Sequence, residues 1–128
     1  MRMTARGDDG GNVADLAALA RDGTAPGVLW AHAGADLNAN LVLLTPGAGV
    51  PAHVNDEVDV LLVGVAGAGA VEVDGRRHDL GEGRALVIPR GARRAIAATA
   101  ARFAYLSCHR RRGGLWPAGL PGPGESPR

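Results

Sequence analysis

The sequence contains no lysine: its 14 basic side chains are all arginine, set against 13 Asp and Glu for a formal net charge of +1. A chain this close to neutrality has no general attraction for nucleic acid or an anionic membrane. The single cysteine, Cys108, excludes an internal disulfide and fits a reducing compartment. Aromatic residues make up only 3% of the chain, so the core has to be assembled from Val, Leu, Ile and Ala. No stretch approaches the ~20 consecutive apolar residues of a membrane span. Arg2 and Arg6 are not followed by the apolar run of a secretory signal. The expectation is a cytoplasmic protein with neither a nucleic-acid nor a membrane partner.

What the sequence does contain is enough apolar residue, 46% of 128 positions, for one well-buried domain. Residues 1–11 are polar and glycine-rich and read as a disordered tail. Residues 113–128 are rich in Gly and Pro around a lone Trp116 and read as a second flexible tail. Between them, residues 12–112 form the expected domain. It opens with a short helix capped by Asn12, in which Val13, Leu16, Ala17, Leu19 and Ala20 recur at helical spacing, and Gly23 and Pro26 stop it.

Beyond Gly27 the pattern changes to short β-rich runs broken by turn residues. Strands are predicted near Val28–His32, Asn38–Leu44, Ala52–Asn55, Val58–Val65, Ala70–Val73, Arg77–Leu80, Ala85–Ile88, Arg94–Ala98 and Arg102–His109. The expected breaks include Gly67-Ala68-Gly69, Gly81-Glu82-Gly83 and Pro89-Arg90-Gly91. Asp74-Gly75, between Val-Glu-Val and Arg-Arg-His, signals a hairpin, because both central residues of a type I′ turn need positive φ. Many short strands without long intervening helices indicate an all-β sandwich or barrel.

Gly47, His53, Asn55 and Asp59 fall at the spacing of the first cupin motif, G-x5-H-x-H-x3,4-E-x6-G, with Asn55 at the second His position and Asp59 at the Glu position. Ala66 stands where the closing glycine belongs, and Gly67 follows it. Gly83, Pro89 and Gly91 match the second motif, G-x5-P-x-G-x2-H-x3-N, where Arg94 takes the His position and Ala98 the Asn position. From about Asn38 to His109 the chain thus resembles the cupin superfamily, in particular small single-domain bacterial cupins. The resemblance implies a jelly-roll barrel, the double-stranded β-helix, and the homodimer common in that family.

In a family member with the full motifs, the three histidines and the glutamate converge on a metal inside the barrel. Here the even spacing of His53, Asn55 and Asp59 would turn all three inward, opposite Arg94. A guanidinium is always charged and offers no lone pair. At ~4 Å and an effective dielectric of about 20, it would repel a dication by roughly 8 kcal/mol. The expectation is therefore that Arg94 replaces the metal, pairing with Asp59 and bonding Asn55, and that no cofactor is bound. A one-residue slip would exchange Arg94 with Arg93 and turn it outward.

These residues point to a metal-independent barrel that binds a small polar or anionic molecule in a pocket of His53, Asn55, Asp59 and Arg94, without catalytic residues. One alternative is a metal-dependent oxygenase or isomerase with His53, Asn55 and Asp59 as ligands to a divalent transition metal. Another is a structural dimer module with a filled barrel. His32 and His78 read as surface or strand-edge residues, Cys108 as buried filler, and His109 with Arg110-Arg111-Arg112 as a solvated strand end lacking the aromatics of a nucleic-acid site. Both faces of Val58–Val65 are apolar: Val60 and Leu62 on one, Leu61, Val63 and Val65 on the other. One face fills the barrel; the helix and a second subunit would cover the other.

Overall fold

The structure, a computed structural model, describes residues 12–111. Both expected tails lie outside the described residues. The elements in order are α1 (Leu16–Asp22), β1 (Gly27–Ala33), β2 (Leu37–Leu44), β3 (Val50–Val54), β4 (Val60–Val73), β5 (Arg76–Gly81), β6 (Ala85–Ile88) and β7 (Arg93–Arg110). The helix is shorter than its apolar spacing suggests. Its N-cap is Asp15, not Asn12, because the Asp15 carboxylate accepts the Ala18 N–H at 3.0 Å. Val13 is left 58% exposed outside it. Gly23 ends the helix as expected, its N–H donating to the Leu19 carbonyl.

The predicted strands all overlap observed strands, with Asn55, Val58 and Asp59 left in the turn between β3 and β4, and two pairs of them are continuous. Val58–Val65 and Ala70–Val73 belong to the 14-residue β4, and Arg94–Ala98 and Arg102–His109 to the 18-residue β7. Gly67-Ala68-Gly69 is therefore a bend within a strand and not a turn. The β4–β7 ladder shifts register at Gly64/Ala66 and again at Gly67/Gly69, and such bulges bend a strand without ending it. The bend allows a close approach: a side chain at Gly69 would run into the ring of Phe103.

The bends divide the sheet into two halves. The first half of β4 lies between β6 and the second half of β7, which continues to β2 and β1. The second half of β4 lies between β5 and the first half of β7, which continues to β3. Side chains from both halves line one cavity, so the halves face each other as a jelly roll. The hydrogen-bonded path runs from β1 to β5 and does not close.

Asp74 and Gly75 make the β4–β5 turn with φ of 50° and 84°, as the hairpin signal requires. The Asp74 carboxylate also accepts the Arg93 N–H at 2.9 Å, which ties this turn to the start of β7. Strand alternation places Val60 and Leu62 inside, at 7% and 1% exposure, with Phe103, Ile88 and Val71. On the outer face, Val65 packs with Leu43 and Ala104 against Ala20 of the helix.

Gly69→Ala is expected to lower stability by about 1–3 kcal/mol, the usual cost of overpacking a filled core. The measurement is the urea midpoint. An unchanged midpoint would mean that Phe103 does not sit against the β4 bend.

Candidate functional site

The cavity between the two sheet halves has a volume of about 230 Å³. Its walls are mostly apolar, supplied by Val42, Val50, Val60, Leu62, Ile88 and Ile96, and the structure brings His53, Asn55 and Arg94 to them. Arg94 is 4% exposed while Arg93 is exposed, so the register turns Arg94 inward. Arg94 stands directly opposite His53 in the β3–β7 pair. Its Nε donates to the Ala92 carbonyl at 3.1 Å and its Nη2 to the Pro89 carbonyl at 3.5 Å. The Pro89–Ala92 turn, expected from the second motif, thus holds the guanidinium by its backbone.

His53 is half-buried, and its Nδ1 lies 3.0 Å from the Pro51 carbonyl. A carbonyl can only accept, so Nδ1 carries the proton and a neutral ring keeps its lone pair on Nε2. Asn55 is 7% exposed. Its Oδ1 accepts the backbone N–H groups of Glu57 at 2.9 Å and Val58 at 3.4 Å, closing an Asx turn.

Asp59 is placed differently from the expectation. It is exposed, does not line the cavity, and accepts the Arg90 N–H at 2.8 Å. Among the described residues no ion pair joins it to Arg94; the pairs are Arg21–Asp22 and Arg77–Asp79. The reason lies in the chain path. β3 ends at Val54 and β4 begins at Val60, so the Asx turn between them breaks the alternation that would carry the inward parity of His53 on to Asp59. Val58 and Val60 are the buried residues there.

The opposite wall holds residues that the motifs do not name. Asn40 of β2 and Tyr105, Ser107 and His109 of β7 line the cavity. His109, expected at a solvated strand end, is 5% exposed with Nδ1 donating to the Arg110 carbonyl at 2.8 Å. The alternation Tyr105, Ser107, His109 was a readable signal for this wall. The parity change along β7, from Arg94 and Ile96 to odd-numbered positions, was not. His32 and His78 are half-buried and away from the cavity, as is Cys108, whose thiol burial pushes up. Arg110 and Arg111 donate to the Glu57 and Gly34 carbonyls, and Arg112 lies outside the described residues.

This donor set does not fit a divalent transition ion. Two imidazoles and no carboxylate line the cavity, the Asn55 oxygen is engaged by backbone, and Arg94 has no lone pair to give. No group of three or more His, Cys, Asp and Glu suited to a metal occurs among the described residues.

Burial pushes the Tyr105 hydroxyl up to about 12, so the phenol is neutral at physiological pH and can donate a hydrogen bond. Its folded value lies above the ordinary value of 10.0. Its contribution is therefore complete below pH 10 and is lost as pH rises from 10 toward 12, by about 3 kcal/mol in all. Tyr105 is the only tyrosine of the chain, so phenolate absorbance reads it directly. The expected titration midpoint is well above 10, and Tyr105→Phe should flatten the alkaline loss of stability. A midpoint near 10 in the folded protein would place the hydroxyl in water.

The comparisons with known proteins agree with this architecture. The structure of KdgF from a Halomonas species is 26% identical over 66% of this chain and 77% of that one, with a TM-score of 0.60. A cupin protein from Bacteroides fragilis is 26% identical over 66% of this chain and 73% of that one, with a TM-score of 0.56. An RmlC-like cupin with a double-stranded β-helix fold, from Methanocaldococcus jannaschii, aligns with 70% of this chain and 84% of its own at 17% identity and a TM-score of 0.62. No curated protein sequence is matched. The family model described as the cupin domain matches residues 40–107, more than half of the chain, and the chain belongs to that family.

Proposed function

We propose that this cupin is a metal-independent barrel that binds a small polar or anionic molecule beside Arg94, His53 and Asn55. The observation that carries the reading is the buried guanidinium on the cavity wall, at the position where the second motif has a histidine. Arginine presents a fixed fork of donors suited to a carboxylate or phosphate, and apolar walls lower the local dielectric that would screen it. The barrel is not filled by its own side chains. An apolar cavity of about 150 Å³ takes benzene, so one of about 230 Å³ admits a six-membered ring bearing a carboxylate. A reducing, cytoplasmic site of action belongs to the same reading, resting on the lone Cys108.

Two measurements test it. Protein purified without a histidine tag should carry iron, zinc, nickel and manganese well below one ion per chain. Benzoate should bind the cavity more tightly than neutral benzamide, and Arg94→Met should weaken benzoate by roughly tenfold or more. A stoichiometric transition metal would overturn metal independence; equal binding of the acid and the amide would overturn the anion site.

We further propose that the chain is a homodimer through the outer face of the first sheet half. Leu61 is paired with Val87 on one side and Cys108 on the other, and Val63 with Ala85 and Leu106. These six residues make an uncharged patch in which Leu61 is 38% and Val87 59% exposed. The helix covers the neighbouring Val65, Leu43 and Ala104 but not this patch. An apolar surface continuous with a packed face calls for a partner of the same character, and a second copy supplies one. Light scattering should give twice the chain mass for the wild type and the single mass for Leu61→Asp with Val87→Asp. A monomeric wild type would refute the assembly.

A further inference from the structure

The wall opposite Arg94 carries a polar ladder. In the β2–β7 pair Asn38 lies opposite His109, Asn40 opposite Ser107 and Val42 opposite Tyr105, with no shift in register. Side chains so paired on one face are close neighbours, and the period of two puts Asn38 on the same face as Asn40. Asn40, Ser107, Tyr105 and His109 of this ladder line the cavity, whereas Asn38 is 8% exposed and lies beyond the lining. The side chains of Asn40, Ser107 and Tyr105 make no hydrogen bond with another described residue. Polar groups on an otherwise apolar cavity wall that the protein's own atoms leave unmatched are open to hydrogen bonds from a bound molecule.

We propose that this ladder reads hydroxyl groups, so that the ligand is a hydroxylated ring carboxylate. This deepens the anion-binding reading of the cavity and rests on it. The Tyr105 phenol can donate, and the Ser107 hydroxyl and the Asn40 amide can both donate and accept. A ligand hydroxyl both donates and accepts at one atom and so matches this mixture. An ammonium group would also meet the acceptors of Asn40 and Ser107, but no Asp or Glu lines the cavity to balance its charge, and Arg94 shares the space. With Arg94 on one wall and the ladder on the other, the acid and hydroxyl groups of one ring are held at opposite sides of it.

The test compares benzoate with meta- and para-hydroxybenzoate and with shikimate by calorimetry on the full chain. A hydroxylated acid is expected to bind the wild type roughly tenfold or more tightly than benzoate, because a site with hydrogen-bonding groups in place discriminates strongly against a ligand that lacks their partners. In Ser107→Ala, Asn40→Leu and Tyr105→Phe that ratio should fall toward one. Ser107→Ala removes only a half-buried hydroxyl, so it keeps the test valid if the bulkier changes disturb folding. If benzoate binds and no hydroxylated acid gains over it, the ladder does not read hydroxyls and the anion site stands. If none of the acids binds, the cavity reading falls and the ladder with it.

Discussion

Two loops at one end of the barrel are stitched together, and the character of the cavity depends on that seam. The Asn55 carbonyl accepts the Gly91 N–H at 2.7 Å, while the Asp59 carboxylate accepts the Arg90 N–H at 2.8 Å. One loop carries the first motif and the other the second. The Asn55 side chain meanwhile winds residues 55–58 into an Asx turn. Three polar groups that would converge on an ion in a metal-binding relative are thus divided: Asn55 and Asp59 hold backbone, and only His53 presents a free ring nitrogen to the cavity. The substitutions act together. An Asn in place of an imidazole supplies the oxygen that the turn needs, and the turn in turn sends Asp59 outward.

Arg94 fits the space this leaves. Burying a guanidinium is costly unless its donors are met, and the Pro89–Ala92 turn meets two of them with carbonyls fixed by the same seam. A transition ion asks for several convergent lone pairs; a guanidinium asks for acceptors. The loops have exchanged one demand for the other. The consequence for chemistry is that the charge in the cavity is built into the chain and does not depend on metal supply or on pH, because arginine does not titrate in the accessible range. On the reading proposed above, this fixed charge is what would hold an anion, and the neutral Tyr105 phenol across the cavity is a donor that survives well into alkaline pH.

Much of the fold was legible. Gly47, Gly83 and Gly91, the motif glycines, all have positive φ, at 87°, 83° and 86°, and Asp74-Gly75 forms the turn its residue types require. Those are local demands, satisfied by one or two residues, and local demands are what a sequence displays. The bend at Gly67–Gly69 was misread because a glycine pair marks a turn and a bulge equally well; the difference lies in whether the partner strand bends with it, and β7 does. The error over Asp59 is similar. Counting by twos is valid only while the chain remains a strand, and Asn55 ends the strand through a side-chain hydrogen bond that no spacing rule announces. His109 was misplaced for the opposite reason: its arginine neighbours suggested solvent, but those arginines reach back to loop carbonyls while the imidazole keeps the inward parity of Tyr105 and Ser107.

The same alternation sets what the outer face can do. Each inward residue on β2, β4 and β7 commits its neighbours to the outside, and in this sequence many of those neighbours are also apolar. The short helix settles part of the conflict by laying Ala20 against Leu43 and Ala104. At seven residues it is too short to cover the remainder, and too short to be stable unless that packing holds it. Among the described residues Leu61 and Val87 therefore stay open for a geometric reason: strands apolar on both faces need two layers of cover, and the helix supplies less than one. Cavity and outer face are in this sense one problem. The β7 strand that places Tyr105, Ser107 and His109 on the inner wall turns Leu106 and Cys108 to the outer one, so a one-residue slip of that strand would exchange the two faces at once.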